Sequence, residues 1–237
     1  MRTHASAGLK SRARTVLAGK WTFITGAFLF EMMLNMALEM VIELAFPMQI
    51  SGGFSIPHML CTIIAGLLSV IISAGSTYLY LNVARGRQYQ LRDLFFSFSH
   101  QPERMIGWFF AILGITMLFS LIPAVLLAFA LVSGSRAGIA ASVAVLLICI
   151  IGFFMILLRY IMVPFLYADA PWKTTRELMH ESSELMKGQK GRYFYLQLTY
   201  LGLILLALLS FGIGFIWVSP YISMTNTQFY LELKQEI

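Results

Sequence analysis

Ile106–Val132 reads IGWFFAILGITMLFSLIPAVLLAFALV, without one charged side chain. Wound as a helix at about 1.5 Å per residue, a run of that length exceeds the ~30 Å hydrocarbon thickness of a bilayer. The segments around it repeat the pattern: Trp21–Phe46, Pro57–Val83 and Gly138–Tyr167 are long and predominantly apolar. A fifth region, Arg192–Leu233, is too long for one crossing and is interrupted at Ser210-Phe211-Gly212-Ile213-Gly214. Two glycines there favour a turn, which divides the region into Tyr193–Ser210 and Ile213–Leu231. The expected fold is all-α, a polytopic transmembrane helical bundle with six spans at about 21–46, 57–83, 106–132, 138–167, 193–210 and 213–231. Five spans is the alternative, because Pro220, Ser223, Thr225, Asn226 and Thr227 leave the last segment only half apolar. Residues 1–237 read as a single integral membrane domain, with no internal repeat, low-complexity tract or separate soluble unit.

Composition agrees. The chain is 59% hydrophobic and 12% charged, about half the charge of an ordinary soluble domain. Its formal charge of +6 does not point to nucleic acid, because the basic residues flank the apolar runs and no nucleic-acid motif is interleaved with them. They set orientation instead. Met1–Lys20, Ala84–Met105 and Asp169–Arg192 hold five, four and five of the 17 Lys and Arg residues, whereas Pro47–Ser55 has none and Ser133–Ala137 only Arg136. The basic segments are therefore expected on the cytoplasmic side with the N-terminus, meeting anionic lipid head groups. Lys234 is alone in the tail and does not place the C-terminus. A cleaved signal peptide is not expected: the basic region is long, Glu31 interrupts the apolar stretch and no small-x-small site follows.

Three cytoplasmic stretches are expected to be helical. Ala7–Lys20 reads as a short basic helix on the inner membrane face. Pro171 suits the first turn of a helix running to Lys187 and stopping at Gly188. On it Trp172, Leu178, Met179, Leu185 and Met186 share one broad face, opposite Lys173, Arg176, Glu177, His180, Glu181, Glu184 and Lys187. Such a helix lies in the head-group layer, or serves as a docking face for a protein partner at 172–187. Leu91–Phe96 is a smaller version.

The residues that could carry chemistry lie in the first span. Glu31, Asn35, Glu39 and Glu43 recur every four positions and form a polar stripe. A carboxylate near mid-membrane costs at least about 2.5–3.5 kcal/mol, so the stripe should face protein or water. Arg159, in the fourth span, is the other ionisable side chain deep in an apolar run, and counting inward puts it at a similar depth to Glu31. A Glu31–Arg159 ion pair is therefore an expectation, and Glu31, Asn35, Glu39 and Arg159 form the candidate intramembrane polar site. The competing reading is purely structural: a buried pair, with the outer carboxylates reaching water. In the second span Ala65, Ser69, Ser73 and Thr77 share a face suited to close helix packing. Pro123, Pro164 and Pro220 are expected to kink their helices.

No catalytic motif is present: no HExxH, GxSxG or phosphate-binding glycine loop occurs, and the four histidines are scattered. Cys61 and Cys149 each lie alone in an apolar run, without metal spacing. The expectation is a non-enzyme without metal or cofactor.

Tyr167-Ala168-Asp169-Ala170-Pro171, Ser182–Lys190 (SSELMKGQK), Phe194–Leu205, Gly212-Ile213-Gly214 with Pro220-Tyr221, and Phe229-Tyr230 together resemble the bacterial integral-membrane family called domain of unknown function 975 (DUF975). Leu17-Ala18-Gly19-Lys20-Trp21 is similar to the entry to that family's first span. The resemblance covers nearly the whole chain, implies a bacterial plasma-membrane protein and supplies no activity. The leading expectation is a non-enzymatic accessory or scaffolding component of the bacterial envelope. The alternative is a small transporter or permease-like protein using the first-span stripe. A third reading is an immunity or stress protein that protects the membrane through a partner.

Overall fold

The computed structural model of the chain describes residues 6–46, 56–134 and 136–236. Among these residues every regular element is helical. A short basic helix α1 (Ser6–Leu17) leads into α2 (Trp21–Ala45), and α3 (Ile56–Ala84) returns beside it. A 3₁₀ turn, Leu91–Phe95, and a one-turn helix α4 (Phe96–Ser99) connect to α5 (Glu103–Val132). Next come α6 (Arg136–Tyr160), α7 (Val163–Asp169), α8 (Thr175–Leu185), α9 (Lys190–Leu198), α10 (Leu201–Leu209) and α11 (Phe215–Leu233).

Four of these helical stretches are long and apolar enough to cross a membrane: Ile56–Ala84, Glu103–Val132, Arg136–Asp169 and Lys190–Leu209. The α5–α6 hairpin carries its apolar side chains outward, Phe129 at 75% and Val132 at 90% exposure. Soluble monomers rarely leave contiguous apolar surface open on that scale, and these helices suit a membrane-embedded protein.

The core gathers at one end of the bundle. The second half of α3, Ile71 to Val83, is mostly buried, as is α11 from Met224 to Leu233. α3 is the central element, packed by α2, α5, α7, α11 and the 3₁₀ turn. The turn approaches so closely that a side chain at Gly75 would run into the Leu94 carbonyl. Around the same end, side chains of opposite charge tie the elements together. Arg85 donates to Asp169 at 2.5 and 3.0 Å and to Glu236 at 2.7 and 2.8 Å. Tyr230 donates to Asp169, Arg192 to Glu232, and Lys173 and Lys234 both to Glu181. These bonds put the end of α11 beside the 84–105 and 169–192 segments, a placement the tail's lone lysine left open.

Several expectations change. The amphipathic helix does not begin at Pro171. Thr174 accepts from the Glu177 amide while the Glu177 carboxylate accepts from the Thr174 amide, and this capping box starts α8 at Thr175. Trp172 therefore lies outside it, exposed, whereas Leu178 and Met186 are fully buried in the core. α1 also does not leave its apolar edge to lipid: Leu9, Ala13 and Leu17 are buried, and the helix packs on α11.

The stretch expected as 138–167 breaks after Tyr160, two residues before the helix that carries Pro164 in its first turn. Proline suits that position because no intrahelical donor is lost there. The 193–210 stretch breaks at Thr199-Tyr200, and the Lys10 ammonium donates to the Thr199 carbonyl at 3.1 Å. Burial, then repulsion from Arg14, lowers the pKa of that ammonium. The turn at 210–214 falls where the glycines placed it, with Phe211 and Gly212 at φ of 53° and 86°.

Candidate functional site

The four-residue spacing of Glu31, Asn35 and Glu39 puts them on one side of α2, and that side faces α3 and α11. Between the three helices lies a cavity of about 660 Å³. Glu31, Asn35 and Glu39 line it from α2, Ser73, Ser76, Thr77 and Tyr80 from α3, and Ser223, Asn226 and Thr227 from α11. Phe28, Met32, Met36 and Phe165 complete the wall with apolar surface. Among the described residues, no lysine, arginine or histidine lines it.

Hydrogen bonds fix the polar wall. The Ser76 hydroxyl donates to the Glu31 carboxylate at 2.6 Å, and the Ser69 hydroxyl donates to the Asn35 side-chain oxygen at 2.5 Å. The Asn35 amide nitrogen turns back to the Glu31 carbonyl at 2.9 Å, fixing which end of that amide faces α3. Across the bundle, Asn226 accepts from Gln197 at 2.9 Å, and Thr227 donates to the Ser223 carbonyl one turn back. Glu31 is half-buried, whereas Glu39 and Glu43 are exposed; Glu43 does not line the cavity.

Arg159 is not part of this site. Its Nε donates to the Ser183 hydroxyl of α8 at 2.6 Å, and its backbone carbonyl accepts from Ser182 at 2.9 Å. The expected Glu31–Arg159 pair is therefore corrected. Depth along a helix fixes one coordinate only, and α6 packs on α5, α8 and α9 while α2 packs on α3 and α11. The small-residue face of α3 is corrected in part: Ser69 bonds across to α2 as expected, but Ser73 and Thr77 line the cavity instead of closing a helix contact.

Sequence reasoning passed over Ser76, Tyr80, Ser223, Asn226 and Thr227. A signal was present in α11, where positions 223, 226 and 227 stand at i, i+3 and i+4 and so share one face. Those residues counted only as a weakness in a span. Among the described residues, no group of three or more His, Cys, Asp or Glu side chains is arranged to hold a metal ion.

Comparison with known proteins gives one finding. The family described as "Protein of unknown function (DUF975)" matches residues 1–236. No curated protein and no solved structure matches the chain.

Proposed function

Because the chain belongs to the DUF975 family, whose function is unknown, we propose a role from the cavity itself: a small transporter or permease-like membrane protein that takes an organic cation between α2, α3 and α11. The observation that carries this reading is the make-up of the wall, two carboxylates with amides and hydroxyls and no basic side chain. At an effective dielectric of about 20, a carboxylate and a cation about 4 Å apart attract by roughly 4 kcal/mol. Phe28, Tyr80 and Phe165 put aromatic rings in the wall, and Met32 and Met36 add polarisable apolar contact, both of which favour organic cations. A volume of about 660 Å³ lies within the roughly 300–1,000 Å³ of small-molecule pockets and far exceeds a bare ion. An amine or quaternary ammonium of modest size fits these terms.

Binding rather than catalysis is the proposed use. The Ser76 hydroxyl donates to the Glu31 carboxylate and holds it in the wall, where it can meet a cation. The proposed topology has six crossings, α2, α3, α5, α6–α7, α9–α10 and α11, with both termini on the basic face. The ion pairs joining Arg85 to Asp169 and Glu236 support an even number. The positive-inside rule makes that face cytoplasmic in a bacterial plasma membrane. The scaffolding expectation rests on amphipathic inner helices and the lack of a transport motif; Leu178 and Met186 are engaged in the core, and the acidic cavity favours the transport-like reading.

Uptake of ethidium into proteoliposomes tests the proposal. The parent chain should accumulate the dye and Glu31→Gln should not, while a neutral phenanthridine of the same shape crosses both equally. Absence of uptake by the parent, or equal uptake by Glu31→Gln, would remove transport from the account.

A further inference from the structure

A second polar cavity lies at the inner end of the bundle, away from the α2–α3–α11 site and independent of it. It measures about 470 Å³ and sits between the first turns of α5, the end of α6 and α8. Arg159 and Tyr160 line it from α6, and Arg176, His180 and Ser183 from α8. We propose that this pocket binds a phosphate group, presented by the head group of an anionic phospholipid in the inner leaflet.

Neither arginine forms an ion pair among the described residues, although the Arg159 guanidinium contributes, after Lys187, to holding the Glu184 carboxyl below its ordinary pKa. Arg159 Nε donates to the Ser183 hydroxyl and its guanidinium lies 5.8 Å from the Tyr160 ring, contacts that orient the side chain without neutralising it. Ser183 is itself buried, at 4% exposure. Arg176 forms no ion pair among the described residues. Among the described residues, no carboxylate lines the pocket. The acids nearest to it on α8 are occupied: Glu184 pairs with Lys187 at 2.7 Å, and Glu177 closes the helix cap at Thr174. Arg104, at the start of α5, pairs with Glu103 at 3.9 Å, and its carbonyl holds the Thr175 hydroxyl. Two exposed guanidiniums and an imidazole line this space with the Ser183 hydroxyl, and the forked guanidinium donors suit phosphate oxygens.

The surroundings favour a lipid as the carrier of that phosphate. One turn outward from Arg159, Met155 and Phe154 are exposed and line an apolar groove shared with Phe194 of α9. Phe110 is likewise exposed on α5, and Trp172 is exposed just before α8. Acyl chains therefore have apolar surface beside the charged pocket, and a tryptophan marks the head-group level.

The test is lipid retention by the purified full-length chain, read by native mass spectrometry after exposure to equal phosphatidylglycerol and phosphatidylcholine. The parent should keep phosphatidylglycerol preferentially, and each of Arg159→Gln and Arg176→Gln should reduce that preference about fivefold. Arg159→Lys, which keeps the charge but loses the fork, should restore only part of it. Arg176→Gln keeps the test informative should Arg159→Gln disturb folding, because Arg176 anchors no other element. Arg87→Gln with Arg92→Gln, both exposed and neither lining the pocket, is the control for surface charge. Inorganic phosphate forms the other arm. Raised thermal stability in the parent, absent from the double variant, would assign the site to free phosphate instead of lipid. Equal retention of both lipids by the parent, or an equal loss in the control pair, would overturn the proposal.

Discussion

Removing the Arg85 side chain should destabilise the protein by stranding the Asp169 and Glu236 carboxylates. The Arg85 side chain is 14% exposed and Asp169 22%, joined by two bonds at 2.5 and 3.0 Å. Glu236, the other partner, is 39% exposed. Both carboxylates hold the guanidinium above its usual pKa, Asp169 first. Stranding a buried charge costs about 3–5 kcal/mol, but Asp169 is partly hydrated and keeps the Tyr230 hydroxyl, so about 2 kcal/mol is appropriate there. The more exposed Glu236 contributes up to about 1 kcal/mol. Arg85→Gln should therefore cost about 3 kcal/mol, a fall in Tm of roughly 6–12 °C at about 2–4 °C per kcal/mol. Thermal unfolding of the detergent-solubilised chain, followed by tryptophan fluorescence, measures this. A cycle with Asp169→Asn should give a coupling of about 2 kcal/mol, and additivity within about 0.5 kcal/mol would refute the network reading.

Two further predictions concern the same end of the molecule. Gly75→Ala places a methyl group against the Leu94 carbonyl. The 3₁₀ turn must then move, and unfolding should show a loss of about 1–3 kcal/mol; an unchanged melting curve would contradict the close approach. For Glu181, burial pushes the carboxyl pKa up, but hydrogen bonds and ion pairs with Lys173 and Lys234 outweigh it and hold it below its ordinary value of 4.5. A carboxyl depressed in the folded state stabilises fully above its unfolded pKa, and that contribution disappears as pH falls below 4.5 through the folded value. Stability measured against pH should lose this acid-side drop in Glu181→Gln, and identical profiles would count against it.

The apolar runs made the helices legible, because a charge-free stretch as long as Ile106–Val132 permits few structures. The glycines at 212 and 214 likewise marked a real turn. What could not be read was anything set by one helix against another. The break at Thr199-Tyr200 contains no glycine or proline; its freed carbonyl is met by Lys10, 189 positions earlier in the chain. Thr174 is a recognisable cap, but Pro171 offered an earlier start, and only the capping geometry decides between them. The acidic stripe was visible as a stripe, while its companions were not. Ser76 lies off the four-residue register that singled out Ser69 and Ser73, and Arg159 shared depth with Glu31 without sharing a neighbour.

The acidic stripe on α2 lines the cavity proposed to hold a cation. Equilibrium binding of ethidium to the purified chain, compared between the parent and Glu31→Gln, tests it most directly. The amide keeps an acceptor for Ser76 and removes only the charge. Losing even a third of the roughly 4 kcal/mol attraction predicts affinity weaker by about tenfold or more, with the neutral phenanthridine unaffected. Unchanged ethidium affinity in a folded Glu31→Gln protein would rule out a cation held by the Glu31 carboxylate.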